Sequence, residues 1–200
     1  MPGTEVAGSA QQSEGRLVLV VGPSGAGKDS LIDAARRALA DHPQFVFPRR
    51  IITRPSDPDS EEHATLSEAA FARQRDAGAF FLHWGAHGLH YALPGAIADA
   101  LAQGRTVVAN VSRAVIEEAR RKHPATTVVV VTAPPAVLAE RLKARGREDA
   151  AAVEGRLARA AGQPGGIHPD DPGVVTVMND GPLEAAVERF LQVLKAPAEA

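Results

Sequence analysis

Continuously apolar runs alternate with amphipathic segments along the chain from residue 16 onward. Residues 17–21 are unbroken Leu and Val, a run typical of a strand that is buried on both faces of a parallel sheet. Residues 30–40 follow with apolar side chains at helical spacing, which predicts an amphipathic helix. The alternation recurs, with further strands predicted at 105–111, 126–132 and 174–178, and further helices at 114–123, from Pro135 onward and at 183–194. Repeated strand–helix units predict an α/β fold, a parallel β-sheet sandwiched by helices.

Two segments interrupt this rhythm. Residues 45–94 combine Phe-rich and His-rich stretches with a predicted helix at 67–77 and short predicted strands at 80–84 and 89–92. We interpret this segment as a substrate-binding insertion beside the sheet. Residues 141–165 are dense in Arg and Ala, and we interpret them as an Arg-rich lid in which two helices flank a turn at the ligand edge of the sheet.

Composition and charge narrow the function classes. The chain has 200 residues, a formal net charge of −2 and no cysteine, which argues against an electrostatic nucleic-acid or membrane-surface binder, a disulfide scaffold and a thiol nucleophile. Residues 1–15 have little to bury and carry no secretory signal pattern, so we expect a flexible N-terminal tail followed by a single domain at 16–195. The most apolar stretch, 126–139, is interrupted by two prolines and too short to span a bilayer, so a cytoplasmic protein is expected.

A phosphate-binding loop follows the first predicted strand. The sequence there matches the pattern G-x-x-x-x-G-K with Gly22, Pro23, Ser24, Gly25, Ala26, Gly27 and Lys28. Glycines allow successive backbone N–H groups to turn inward as an anion nest, and the helix that begins near Lys28 adds its positive dipole end. Because strand, loop and helix occur in the required order, we favour a nucleotide site over a glycine-rich turn without a ligand.

The position after the lysine departs from the usual pattern. Asp29 stands where Ser or Thr is expected to hold magnesium, and Ser30 comes one residue later. P-loop proteins also carry an acid at the end of a neighbouring strand, but here the predicted strand at 105–111 offers the uncharged Asn110. Two interpretations stay open for Asp29: a magnesium ligand, directly or through water, or a carboxylate that the helix dipole favours.

Arginines fall into two groups. The first is Arg141, Arg145, Arg147, Arg156 and Arg159. This group can close over a transferring phosphoryl group and neutralise its charge, or it can be a solvated helix face. The second group is Arg49, Arg50 and Arg54, which suits a second, phosphate-bearing substrate through bidentate contacts. The histidines His83, His87 and His90 are interrupted by glycines, so substrate contact or a structural role is favoured over a metal site.

These motifs resemble the guanylate-kinase-like P-loop kinases and, more specifically, the ribose 1,5-bisphosphate phosphokinases. Beyond the phosphate loop, the matching segments are Ile52-Thr53-Arg54, Glu62-His63, Gly88-Leu89-His90-Tyr91, Asn110-Val111-Ser112-Arg113, Arg145-Gly146-Arg147-Glu148 and Asn179-Asp180-Gly181. The resemblance implies transfer of the γ-phosphoryl group of ATP to ribose 1,5-bisphosphate, which gives 5-phosphoribosyl 1-diphosphate within phosphonate degradation. Guanylate kinases themselves carry a guanine-reading Glu at a position that corresponds here to Leu82, which argues against GMP as the acceptor.

Motifs and resemblance together predict the site residues and ligands. The catalytic residues are expected to be Lys28, Arg145 and Arg147. ATP is expected to contact the loop residues Gly22 to Lys28 together with Asp29, Ser30 and Arg141, and magnesium to contact Asp29 and Ser30. The phosphorylated sugar is expected to contact Arg49, Arg50, Arg54, Glu62, His63 and Tyr91.

The expected reaction needs little acid–base chemistry. The attacking group would be the sugar's 1-phosphate, whose second pKa near about 6 leaves it largely ionised at neutral pH. Catalysis then reduces to in-line positioning and charge neutralisation, which suits a site without an obvious general base. A monomer or homodimer is expected. The alternatives are a guanylate or other small phosphate-acceptor kinase and a non-catalytic guanylate-kinase-like binding module.

Overall fold

The main sheet holds five parallel strands. The computed structural model describes residues 14–55, 63–144, 167–168 and 170–196. The strands of this sheet are Arg16–Val21 (β1), Phe45–Val46 (β2), Thr106–Asn110 (β7), Thr126–Thr132 (β8) and Val174–Met178 (β9). Their order across the sheet is β2–β7–β1–β8–β9, and every pairing is parallel. The first strand is therefore central, which is why its run of Leu and Val is buried throughout.

Helices cover both faces of this sheet. They are Lys28–Ala38 (α1), Ile97–Ala102 (α3), Ile116–Lys122 (α4), Pro135–Ala144 (α5) and Leu183–Lys195 (α6), whereas Glu68–Asp76 (α2) packs on a second, smaller sheet. Side chains of β1 alternate between two cores because successive residues of a strand point to opposite faces. Val18 and Val20 pack with α1, α5 and α6, whereas Leu17 and Leu19 pack with α3, α4 and the second sheet. The predicted α/β architecture of a parallel sheet sandwiched by helices is confirmed.

A smaller mixed sheet lies against the second core. Its strands are Arg50–Ile52 (β3), His63–Thr65 (β4), Phe80–Ala86 (β5) and Leu89–Pro94 (β6). Their order is β4–β3–β6–β5, with β3 and β4 parallel and the other two pairings antiparallel. Phe71 of α2 packs on Phe80, so that helix covers the face turned away from the main sheet. This sheet falls within the segment 45–94, whose first two residues, however, form β2 and pair with β7 in the main sheet.

Several boundaries differ from the sequence prediction for local reasons. α1 begins at Lys28, two residues earlier than predicted, directly after Gly27 in a left-handed conformation. A short 3-10 turn, Arg113–Val115, precedes α4, and the Ser112 hydroxyl caps it by accepting the Ala114 N–H. Residues 1–13 of the predicted tail at 1–15 and most of the predicted lid lie outside the described residues. No helix in the described part of the chain is long and apolar enough to cross a membrane.

Candidate active site

The phosphate loop connects the central strand β1 to α1 and has the backbone that its glycines permit. Gly22, Gly25 and Gly27 all have positive φ, at 148°, 85° and 88°. A side chain on Gly22 would collide with the carbonyl oxygen of Val131 on the neighbouring strand. The Lys28 ammonium donates to the Gly22 carbonyl at 2.7 Å and to the Pro23 carbonyl at 3.0 Å. Its charge is thus already at the loop, where an anion nest is expected.

Asn179, directly after β9, is hydrogen-bonded to the backbone of this loop. Its side chain is only 3% exposed, and its amide Nδ2 donates to the Ala26 carbonyl at 2.8 Å. The backbone carbonyl of Asn179 accepts a hydrogen bond from the Arg141 guanidinium at 3.0 Å. A Cβ on Gly27 would collide with the Asn179 amide, so the place of this amide requires glycine at position 27. Asn179 belongs to a motif that matches the resembled family, but no role in the site was predicted for it; its position directly after a predicted strand was the signal.

The two departures from the P-loop pattern prove to be one contact. The Asn110 amide Nδ2 donates to the Asp29 carboxylate Oδ1 at 2.6 Å. Asn110 is 8% exposed at the end of β7, where its register partner is Val20 of β1. The second carboxylate oxygen of Asp29 has no hydrogen-bond partner among the described residues. The carboxylate therefore has one oxygen fixed to the sheet and one oxygen left for a ligand.

Arg50 brings the smaller sheet to the same place. One guanidinium nitrogen of Arg50 lies 3.5 Å from the Asn110 carbonyl oxygen, and the guanidinium carbon lies 5.6 Å from the centre of the Tyr91 ring. That ring stacks on Trp84 at 5.6 Å with an interplanar angle of 7°. Asp29, Arg50 and Asn110 line one small crevice between the two sheets. The Arg50 guanidinium thus adjoins the start of α1.

The other predicted substrate residues form a supporting cluster around the end of β3. Arg49 donates to the His63 carbonyl at 3.1 Å, and the His63 ring nitrogen Nε2 lies 3.2 Å from the Arg54 carbonyl oxygen. His63 is 4% exposed, so its ring holds the backbone of Arg54 rather than facing an open crevice. Arg54 itself has a buried Nε without a hydrogen-bond partner among the described residues. The Arg49 side chain is thus held by a backbone carbonyl, whereas in Arg54 the backbone carbonyl is held.

Other predictions meet the structure differently. Arg145, Arg147 and Glu62 lie outside the described residues. Ser30 is exposed in the first turn of α1, next to Asp29. Leu82 is completely buried in the core between the sheets and does not line the crevice.

The histidines His83, His87 and His90 are spread over the hairpin formed by β5 and β6. His87 sits in the turn with a φ of 54°, and the His90 ring stacks on Phe71 at 5.3 Å. His83 is exposed on β5. Within the described ranges, no three His, Cys, Asp or Glu side chains are grouped so that they could hold a metal ion.

Comparisons with known proteins agree with this geometry. A family model described as an AAA domain matches residues 18–161. A ribose 1,5-bisphosphate phosphokinase of Brucella melitensis is 48% identical over 185 residues, which cover 92% of this chain and 94% of the relative. A ribose 1,5-bisphosphate phosphokinase of Acidiphilium cryptum is 52% identical over 180 residues, which cover 90% of this chain and 92% of the relative.

A solved structure supports the fold alone. The crystal structure of a guanylate kinase from Anaplasma phagocytophilum superimposes with a TM-score of 0.66 and 16% sequence identity, covering 95% of this chain and 89% of that protein. At this identity, the likeness establishes a shared architecture and carries no argument about the acceptor.

Proposed function

The chain contains an AAA domain and belongs to the ribose 1,5-bisphosphate phosphokinase family, and from this premise we propose that it transfers the γ-phosphoryl group of ATP to the 1-phosphate of ribose 1,5-bisphosphate. The products are ADP and 5-phosphoribosyl 1-diphosphate. The observation that carries the proposal is that Asn110 contacts both Asp29, in the first turn of α1 after the phosphate loop, and Arg50 of the second sheet. Donor and acceptor phosphates need such adjoining cationic sites for an in-line transfer.

The donor side is built on the phosphate loop. We assign Gly22 to Gly27 to the α- and β-phosphates through backbone N–H groups, and Lys28 to the β- and γ-phosphates through its charge. The Lys28 ammonium now bonds to the Gly22 and Pro23 carbonyls, which keep it beside the loop. Arg141 belongs to the same side because its guanidinium is tied to Asn179, which also holds Ala26.

Asp29 and Ser30 fit a magnesium ion. Hard divalent cations prefer carboxylate and hydroxyl oxygens, and Asp29 offers one oxygen without a protein partner among the described residues. When bound, magnesium would neutralise charge on the β- and γ-phosphates. Asp29 contributes the acid that the strand end lacks, and Ser30 adds a hydroxyl in the next position.

The acceptor side takes the sugar phosphates. We assign Arg50 to the phosphate nearest the reaction, because it lies at the crevice with Asp29 and Asn110. Arg49, Arg54 and Tyr91 serve the rest of the sugar phosphate, with His63 fixing the Arg54 backbone. Glu62, which lies outside the described residues, is assigned to the same substrate. Guanidinium groups suit phosphate oxygens through bidentate hydrogen bonds.

The transfer step itself asks for positioning and charge. The acceptor phosphate is already largely ionised near pH 7, so no side chain needs to remove a proton. Arg145 and Arg147 are proposed to close over the transferring group and to neutralise the charge that develops there. We further propose that the enzyme works in the cytoplasm as a monomer or homodimer, without nucleic-acid or membrane partners.

A comparison of acceptors tests the proposal. We expect kcat/KM for ribose 1,5-bisphosphate to exceed that for ribose 5-phosphate and GMP by at least about a hundredfold, because polar sites discriminate strongly against acceptors that leave them unpaired. ADP release would be measured with each acceptor at saturating ATP and magnesium. Lys28→Ala, which should be inactive with every acceptor, shows that the measured activity belongs to this site. Lys195→Ala, in the exposed last turn of α6, is the matched active control. Faster turnover of GMP would assign the chain to the guanylate kinases instead.

A further inference from the structure

We propose that Asn110 is a positioning residue for the metal-binding carboxylate, so that the acid and the polar partner of an ordinary P-loop site have exchanged places in this chain. The inference deepens the proposed function, on which it rests only for the place of Asp29 at the magnesium ion. Asn110 acts through Asp29 and is assigned no contact with substrate.

The contact is specific to an amide and a carboxylate. Asn110 Nδ2 lies 2.6 Å from Asp29 Oδ1, within hydrogen-bond distance, and the ionised acceptor makes this bond charge-assisted. A carboxylate is a hydrogen-bond acceptor only, and an amide can donate through its nitrogen but not through its oxygen. The opposite orientation of the amide would place two acceptor oxygens against each other, so the nitrogen must face Asp29.

Asn110 is itself held on more than one side. It is the last residue of β7, buried beside the central strand in register with Val20. Its backbone carbonyl faces the Arg50 guanidinium at 3.5 Å. The amide is therefore presented from a rigid sheet edge, whereas Asp29 lies in the first turn of a helix and is half-buried. Because this rigid donor is hydrogen-bonded to Oδ1 of Asp29, it fixes the direction in which Oδ2 of the same carboxylate points.

The exchange explains why the strand does not end in an acid. In the usual arrangement, the residue after the loop lysine is Ser or Thr and the strand supplies an Asp. An Asp at position 110 would bring two carboxylates into contact, and like charges at this separation disfavour each other. With the carboxylate at position 29, the strand must offer a donor, and Asn110 does so at nearly the same size as Asp.

Calorimetry of ADP binding tests the inference without any turnover. The dissociation constant would be measured with magnesium chloride and with EDTA for the parent protein, Asn110→Ala, Asn110→Asp, Asp29→Ser and the double variant Asp29→Ser/Asn110→Asp. We expect Asn110→Ala to weaken the magnesium-dependent part of ADP binding by roughly tenfold, as expected for the loss of a hydrogen bond to a charged group, and to leave binding in EDTA unchanged. Thr127→Val is the matched control, because it removes the hydrogen bond to Arg16 at the opposite end of the sheet and should leave both constants unchanged.

The double variant distinguishes positioning from a purely structural role. Asn110→Asp and Asp29→Ser should each weaken magnesium-dependent binding, and their combination should restore it because an acid and a hydroxyl again face each other. Thermal midpoints would show that each protein is folded. Equal weakening by Asn110→Ala with magnesium and with EDTA, undiminished magnesium dependence in Asn110→Asp, or a double variant no better than the weaker single variant would each overturn the inference. Because ADP binding needs no acceptor, a wrong acceptor assignment would leave these results as they are.

Discussion

Asp29 is the residue that departs most from the usual P-loop sequence pattern, in which Ser or Thr follows the lysine. Its charge is the property to test. We expect Asp29→Asn to raise the magnesium concentration for half-maximal rate by on the order of tenfold, equivalent to about 1.4 kcal/mol, with a lower maximal rate. The thermal midpoint should change little, because the substitution keeps the size of the side chain. A magnesium titration of the two proteins, with rates and thermal midpoints, checks this.

The competing account of Asp29 makes the opposite forecast. If the carboxylate only interacts with the dipole of α1, its neutralisation costs about 0.3–1 kcal/mol of unfolding free energy and leaves the magnesium titration unchanged. Glu68, an exposed carboxylate in the first turn of α2, provides the control Glu68→Gln on an ordinary carboxylate at a helix N-terminus away from the crevice. An unchanged magnesium titration for Asp29→Asn would end its assignment to the metal.

At the residue scale, the sequence identified the side chains whose chemistry is unusual and missed those whose role is support. The phosphate loop and the pair of departures at Asp29 and Asn110 were visible because a spacing rule fixes what should stand there. That these two residues touch was not visible, because 81 positions separate them in the chain. Asn179 was missed for a related reason: its role depends on burial beneath the loop.

The attachment of β9 to the phosphate loop is the feature to test at the element scale. Asn179→Ala removes the donor to the Ala26 carbonyl and leaves that oxygen without its partner. We expect a loss of about 1–3 kcal/mol in unfolding free energy, the usual cost of an unsatisfied buried polar group, together with weaker ADP binding. Denaturant unfolding and ADP calorimetry measure the two effects.

The neighbouring residue supplies the control for that variant. Asp180 is about half exposed, and its 3.7 Å ion pair with Arg189 is a surface contact, so Asp180→Ala should change stability by less than about 1 kcal/mol. Similar losses for Asn179→Ala and Asp180→Ala would show that the strand end does not support the loop.

The predicted lid is a second element that mutation can test. We expect Arg145→Ala and Arg147→Ala to lower kcat by on the order of a thousandfold, as arginines that stabilise a transferring phosphoryl group do, while ADP binding changes much less. Steady-state kinetics and calorimetry separate the two effects. Arg121, on the exposed surface of α4, gives the matched control Arg121→Ala. Near-normal rates for both lid variants would identify the segment as a solvated helix face.

Except for the two-residue strand β2, the strands of the main sheet were predictable, and those of the second sheet only partly so. The strands at 126–132 and 174–178 have the predicted bounds, because a continuous apolar run leaves few other structures open. Strands β3 and β4 have three residues each, too short for any periodicity to register. The short helix α3 was also missed: its six residues follow a hairpin directly, and only tertiary packing of Ile97 and Leu101 distinguishes them from a turn.

On the scale of the whole molecule, function follows from where the two sheets meet. The carboxyl ends of β1, β7 and β9 bring together the phosphate loop, Asn110 and Asn179, as expected for ligands of an open parallel sheet. The mixed sheet adds Arg50 from the other side. The sequence predicted both halves, but their contact at Asn110 depends on the tertiary arrangement, which no local pattern encodes.

The phosphorus spectrum of one reaction tests the central claim most directly. With equimolar ATP and ribose 1,5-bisphosphate, excess magnesium and this protein, ³¹P NMR should show the sugar 1-phosphate resonance replaced by a coupled pair of diphosphate resonances, while the 5-phosphate resonance persists and ADP accumulates. That result is the transfer of the γ-phosphoryl group to the 1-phosphate. The account would be contradicted if the sugar 1-phosphate resonance stayed unchanged while the same protein converted GMP to GDP in a parallel sample.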